Sequence, residues 1–294
     1  MTKSDQLIVI IGPTAAGKSA HAMALAPQIG GEIISADSRH VYRRMDIGTN
    51  KPSPVEQAQV PHHLLNLRDP HEGFSLGEYV ALARAAITDV RARGKVPLLV
   101  GGTGQYVRAV VQGWQVPEVA PQPELRAHWQ AYAEVHGAAA LAQELAMRDP
   151  AALQTIDPRN LRRVIRALEV MSVTGQLWSD LQRHHPLERA HVQFSYVNLP
   201  RELLYARADA RLQAMLAQGW LDETRALLDE LLHRGIDANA ALHLPAMSAL
   251  GYREMMGVVC GQMTLDAAVT QIKHETRRFI RAQDTWFRKI TEET

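Results

Sequence analysis

The stretch Gly12-Pro13-Thr14-Ala15-Ala16-Gly17-Lys18-Ser19 sets the reading of this chain. Its spacing is that of a phosphate-cradling loop: a glycine, four residues, then Gly-Lys-Ser. Gly12 and Gly17 permit backbone angles that side chains forbid, so successive N–H groups can turn toward one anion. Lys18 adds a positive charge, and Ser19 offers a hydroxyl to a phosphate-bound Mg²⁺. The context agrees. Leu7-Ile8-Val9-Ile10-Ile11 is a short, wholly apolar run, as a buried parallel strand should be. Residues from Ala20 to Ile29 read as a helix, whose N-terminus favours negative charge.

The rest of the composition is ordinary. With 294 residues, 46% hydrophobic and 21% charged, the chain has room for a large core and more than one domain. The formal net charge is +1, so a nucleic-acid surface has to be a local patch. The lone Cys260 excludes an internal disulfide and a cysteine-rich zinc site. No charged leader precedes an apolar core and no apolar run is long enough to span a bilayer, so no membrane is expected and the cytoplasm is the expected location.

Working outward, Ile33-Ile34 reads as a second core strand that ends on Asp37, Ser38 and Arg39. In open α/β sheets ligands sit at the carboxyl ends of the strands, so these side chains should share a crevice with the phosphate loop. Asp after a strand also serves as a turn or cap residue. Residues from Val41 to Pro54 are too rich in Pro, Gly and charge for a regular element, and long loops of this kind are often functional. Pro61 to Asn66 is a candidate third strand, whose His62 and His63 lack a helical metal spacing. A helix from Gly77 to Arg93 carries a buried stripe of Tyr79, Leu82, Ala83, Ala86, Ile87 and Val90. Val96-Pro97-Leu98-Leu99-Val100 is a further strand, and it runs into Gly101-Gly102-Thr103-Gly104, where Thr103 is a candidate for ligand contact.

Pro117, Pro121 and Pro123 mark a boundary. From Glu124 to about His185 the pattern is helical. There Arg159, Arg162, Arg163 and Arg166 fall on one helix face and Leu161, Val164, Ile165 and Leu168 on the other. The basic face is either solvated or a contact for a phosphate backbone. Val192 to Pro200 returns to strand character, so the helical segment reads as an insertion within one sheet. In the next helix Arg207 and Arg211 lie one turn apart, placed either for a second anion or for Glu202 and Asp209. The last helix, Leu265 to about Ile290, carries His274, Arg277, Arg278 and Arg281 on one side. Ile272, Phe279, Trp286 and Ile290 fall on the other, core-seeking side.

Several of these motifs occur together in one family. The chain resembles the tRNA dimethylallyltransferases, which prenylate an adenosine next to the anticodon. The resemblance rests on the phosphate loop; on Ile34 to Arg39 with Val41-Tyr42 and Met45-Asp46-Ile47-Gly48-Thr49; and on Gly101-Gly102-Thr103-Gly104. It continues through Arg166-Ala167-Leu168-Glu169-Val170, Gly251-Tyr252-Arg253-Glu254, and Thr276-Arg277-Arg278 with Gln283 and Thr285-Trp286-Phe287-Arg288.

The resemblance implies the fold, an α/β, P-loop NTPase-like parallel sheet flanked by helices, with an inserted all-helical domain. The expected division is 1–116 and 191–294 for the catalytic core and 117–190 for the insertion. It also implies that the loop Gly12, Pro13, Thr14, Ala15, Ala16, Gly17, Lys18 and Ser19 holds the diphosphate of dimethylallyl diphosphate, with Mg²⁺ on Ser19. Asp37 is then the general base toward the adenine amine, and Thr103 positions the reacting groups. The tRNA contacts implied are Asp37, Ser38, Arg39, His40 and Thr103, with Arg126, Arg162, Arg163 and Arg166 in the insertion. The partners are the anticodon stem-loop of tRNA and the prenyl diphosphate, and the protein is expected to be a monomer.

Two positions depart from the family. His40 stands where Gln is usual, and Gln105 replaces the usual Leu after Gly104. The residues alone leave two other functions open: a P-loop kinase using Asp37 on an acceptor hydroxyl, and a nucleotide-gated RNA-binding module without catalysis.

Overall fold

A computed structural model describes residues 6–117, 119–181, 187 and 191–293, with side chains as far as Phe287. The chain divides into two compact units, 1–111 with 187–294, and 112–186. The sequence-based boundaries lay a few residues beyond each of these.

The larger unit is built on a sheet of 5 strands in the order β3-β2-β4-β1-β5. The strands are β1 (Leu7–Ile11), β2 (Gly31–Ser35), β3 (His62–His63), β4 (Val96–Val100) and β5 (Val192–Tyr196). Every pairing is parallel. β1 and β4 are buried along their whole length, which explains why their sequences are apolar without alternation. Parallel strands need crossovers, and α1 (Lys18–Ile29) and α3 (Leu76–Ala92) supply them. α1 is stopped by Gly30 in the left-handed conformation. α3 opens with a capping box in which Ser75 and Glu78 satisfy each other's backbone amides. Its buried stripe is narrower than expected: Leu82 faces solvent, while Tyr79, Ala83, Ile87 and Val90 are buried. β5 pairs with β1, so the helical segment does interrupt a single sheet.

A short helix, α2 (Pro54–Gln59), follows the loop after β2, and α4 (Gly104–Val111) follows β4. The 112–186 unit contains α5 (Pro123–His136), α6 (Ala138–Arg148), α7 (Leu161–Thr174) and α8 (Trp178–Leu181). Its core gathers Trp129, Leu141, Leu145, Val164, Ile165 and Leu168. α7 begins at Leu161, with Asn160 capping it, so Arg159 precedes the helix and is not on its basic face. Leu161 is exposed rather than buried. His185 lies outside the described residues.

After β5 come α9 (Arg201–Ala217), α10 (Trp220–His233), α11 (Ala238–Leu242), α12 (Tyr252–Val259) and α13 (Leu265–Glu293). The loop from Val41 to Met45 packs into their second core, with Trp220, Tyr252 and Met256. Two charged anchors hold that loop. Lys51 Nζ donates to Tyr42 O at 2.6 Å, Asp46 Oδ1 at 2.5 Å and Asn66 Oδ1 at 2.7 Å. The Glu223 carboxylate accepts from the amides of Asp46, Ile47 and Gly48 and from the Tyr252 hydroxyl. On α13 the inward stripe is Ala268, Ile272, Ile280, Gln283 and Phe287, whereas Phe279 is 45% exposed, contrary to the sequence pattern. The side chains of Arg288 and Ile290 lie outside the described residues.

Candidate active site

β1, β2 and β4 are neighbours in the sheet and parallel, so the phosphate loop, Asp37 and Thr103 leave the same edge. Gly12 has φ 152°, and a Cβ there would meet Val197 O at 2.0 Å. Gly17 caps α1 at φ 99°. Between them Ala15 also takes a positive φ of 66°, a conformation that costs a non-glycine residue about 1–2 kcal/mol. The first turn of α1 has no acidic residue and no side-chain cap, so its amide dipoles stay available to an anion. Lys18 is partly buried and its Nζ donates to Pro13 O at 2.9 Å. Burial pulls the Lys18 ammonium down to about 8, against the Asp37 charge and assisted by Arg211.

Asp37 is both a turn residue and a carboxylate facing cations. Its Oδ1 accepts the Arg39 amide at 2.8 Å. Burial alone would raise its pKa, but His40, the Arg39 amide, Lys18 and the Arg39 charge together hold it below the usual carboxylate range. Thr103 joins this corner, since its Oγ1 accepts the Ser38 amide at 3.0 Å and donates to Ser38 Oγ at 3.3 Å. Arg39 reaches the Pro245 carbonyl at 2.7 Å. His40 has protein partners at both ring nitrogens, Ser35 Oγ at 3.1 Å and Thr49 O at 3.2 Å. A carbonyl only accepts, so Nε2 carries a proton there. Gln105 is exposed in the first turn of α4.

The helices bring in groups whose roles the sequence left open. Arg207 and Arg211 on α9 have no hydrogen bond or ion pair among the described residues. Asp209 instead takes Arg277 at 2.9 Å and Lys273 at 3.9 Å. Arg207 Nη1 lies 3.7 Å from where a Gly17 Cβ would stand. Burial lowers the Arg211 pKa, opposed by Asp37. Three cations therefore surround the cradle, and the spacing of Arg207 and Arg211 was the available signal. From α13, Gln283 bonds both the phosphate loop and the Gly102 carbonyl.

This geometry coincides with a family match. Residues 40–290 match the family described as IPP transferase. The chain belongs to the IPP transferase family. A tRNA dimethylallyltransferase from Roseiflexus sp. (strain RS-1) is 51% identical over 284 residues, covering 97% of this chain and 90% of that protein. One from Chloroflexus aurantiacus is 50% identical over 287 residues, covering 97% and 94%. Among solved structures, the full-length tRNA isopentenylpyrophosphate transferase of Bacillus halodurans is 37% identical with TM-score 0.66, covering 97% of this chain and 87% of that one. A eukaryotic dimethylallyltransferase acting on tRNA is 26% identical with TM-score 0.81, covering 96% and 69%.

The arginines that the sequence singled out in the 112–186 unit are of two kinds. Glu169 is fully buried and receives Arg126 at both oxygens, 2.8 and 3.0 Å, Arg166 at 2.6 Å and the Gln122 amide at 2.6 Å. Arg166 also donates to Val119 O at 2.8 Å. Arg162 and Arg163 are exposed, and their guanidinium groups have no partner among the described residues. Arg159 pairs locally with Asp157.

No group of three or more His, Cys, Asp or Glu among the described residues is arranged to hold a metal ion. The exposed Ser19 hydroxyl has no partner there either. That donor set fits a hard cation held chiefly by substrate oxygens and water, as Mg²⁺ prefers. No helix among the described residues is long and apolar enough to cross a membrane.

Proposed function

We propose that the protein transfers the dimethylallyl group of dimethylallyl diphosphate to the exocyclic N6 of the adenosine 3′ to the anticodon in tRNA, releasing diphosphate. The observation that carries this reading is the placement of an anion cradle after β1 and an ionised carboxylate after β2 at one edge of the sheet, with only the end of β4 between them. The amides of the loop 12–19 that remain once Thr14 bonds Gln283 and Ala16 bonds Pro13, together with Lys18, Arg207 and Arg211, receive the diphosphate. As the allylic C–O bond breaks, negative charge grows on the departing oxygen, and those donors stabilise it where it develops. Ser19 would hold Mg²⁺, which when bound supplies further charge neutralisation to the diphosphate.

Asp37 accepts a hydrogen bond from the adenine amine and orients its lone pair toward the allylic carbon. A carboxylate held at low pKa is a weak base, but the amine becomes strongly acidic as its nitrogen bonds to carbon. The proton then passes from N6 to Asp37 late in the step. Thr103 fixes the Ser38 backbone beside that carboxylate. The target base must leave its stack to reach Asp37. Arg162 and Arg163 supply unpaired positive charge for the RNA backbone. We place the activity in the cytoplasm and in a monomer.

Incubation with unmodified tRNA, Mg²⁺ and labelled dimethylallyl diphosphate, followed by nucleoside mass analysis, tests the reading. Label in a prenylated adenosine is the expected result. Absence of transfer, with ATP consumed on a small acceptor instead, would favour the kinase.

A further inference from the structure

Gln283 is a polar residue in the apolar stripe of α13, buried to 6% exposure between Ile280 and Phe287. An amide in such a place needs partners for both its ends. It has them on two different loops. Its Oε1 accepts the Thr14 amide at 2.8 Å, and its Nε2 donates to the Gly102 carbonyl at 2.9 Å. Thr14 belongs to the loop that carries Lys18 and Ser19, while Gly102 adjoins Thr103. One turn further along α13, the Trp286 ring lies so close to Gly104 that a Cβ there would stand 2.0 Å from it. α13 therefore braces the ends of β1 and β4 from one side.

We propose that Gln283 is a positioning residue for prenyl transfer, fixing the separation of the diphosphate cradle from the Thr103–Asp37 corner by bridging Thr14 and Gly102. This rests on the prenyl-transfer reading of the site. The amide is oriented by its partners: only an acceptor suits the Thr14 N–H and only a donor suits the Gly102 carbonyl. A carboxylic acid has the same shape and the same pattern, one acceptor and one O–H donor. A carboxylate lacks the donor and sets an anion against the Gly102 oxygen.

The test measures kcat and both KM values across pH 5.5–8 for the wild type, Gln283→Met, Gln283→Glu and Ile272→Val. Gln283→Met should lose about 10–100-fold in kcat, the scale set by a small misplacement of reacting groups, with tRNA affinity within about twofold of wild type. Gln283→Glu should be similarly impaired at pH 8 and recover toward wild type as the pH falls and the introduced carboxyl is protonated. Ile272→Val, which loosens the same helix in the second core, away from the phosphate loop and the bridge, should keep kcat. If the Gln283→Glu deficit is independent of pH, if the loss falls in tRNA affinity with kcat unchanged, or if Ile272→Val loses as much, the inference is overturned. An inactive wild type would instead overturn the prenyl-transfer reading beneath it.

Discussion

Thr103 Oγ1 accepts the Ser38 amide at 3.0 Å, so a residue from the end of β4 holds the backbone next to the carboxylate that follows β2. A second bond points the same way, from the Thr103 amide to the Ala36 carbonyl at 3.1 Å. The backbone bond survives any side-chain change, while the hydroxyl bond does not. Thr103→Val should lower kcat about 10–100-fold with little change in the KM for dimethylallyl diphosphate, and Thr103→Ser should retain most of the activity. Steady-state kinetics with each substrate varied in turn checks this.

Lys18 should give the cradle a pH dependence. Its pKa is lowered to about 8, chiefly by burial, from 10.5. Between those values the unfolded chain binds more protons than the folded one, so the Lys18 contribution to stability rises with pH there. The difference in Tm between wild type and Lys18→Met should therefore shift in favour of wild type as pH rises through about 8. Over the same range the deprotonating ammonium should weaken the grip on diphosphate, raising the KM for the prenyl donor. Thermal melts and KM measurements at matched pH read both effects.

The arginines of the 112–186 unit should separate cleanly. Arg162→Ala with Arg163→Ala should weaken tRNA binding and lower the salt slope by roughly 1.5, close to one unit per lost phosphate contact. Arg126→Ala should leave the slope unchanged and destabilise the protein by about 1–3 kcal/mol, because Glu169 stays buried with one partner fewer. Filter binding at several salt concentrations, with denaturant melts alongside, distinguishes the two.

The sheet and the position of its ligand edge were legible because parallel buried strands have few alternatives to continuous apolar runs, as in Leu7–Ile11 and Val96–Val100. The loop 12–19 and the strand-end residues Asp37 and Thr103 were legible for the same reason, since topology alone brings their loops to one edge. Side-chain pairing was not. Arg126 and Arg166 carry the same charge in the sequence as Arg162 and Arg163, and only the buried Glu169 decides that the first two are paired within the protein. Phe279 is as apolar as Phe287 yet faces out, because the α13 stripe runs through Gln283, a residue that hydrophobic periodicity counts as polar. His40 likewise gave no hint that both of its nitrogens would be engaged within the protein.

The central claim is that the Asp37 carboxylate takes the proton of the attacking amine. Asn at this position keeps an acceptor for the Arg39 amide and so preserves the turn, while removing the base. In a single-turnover assay with preformed complexes of enzyme, tRNA and labelled dimethylallyl diphosphate, Asp37→Asn should slow formation of prenylated adenosine by at least about 100-fold, with both substrates still bound. A rate within a few-fold of wild type would contradict the account.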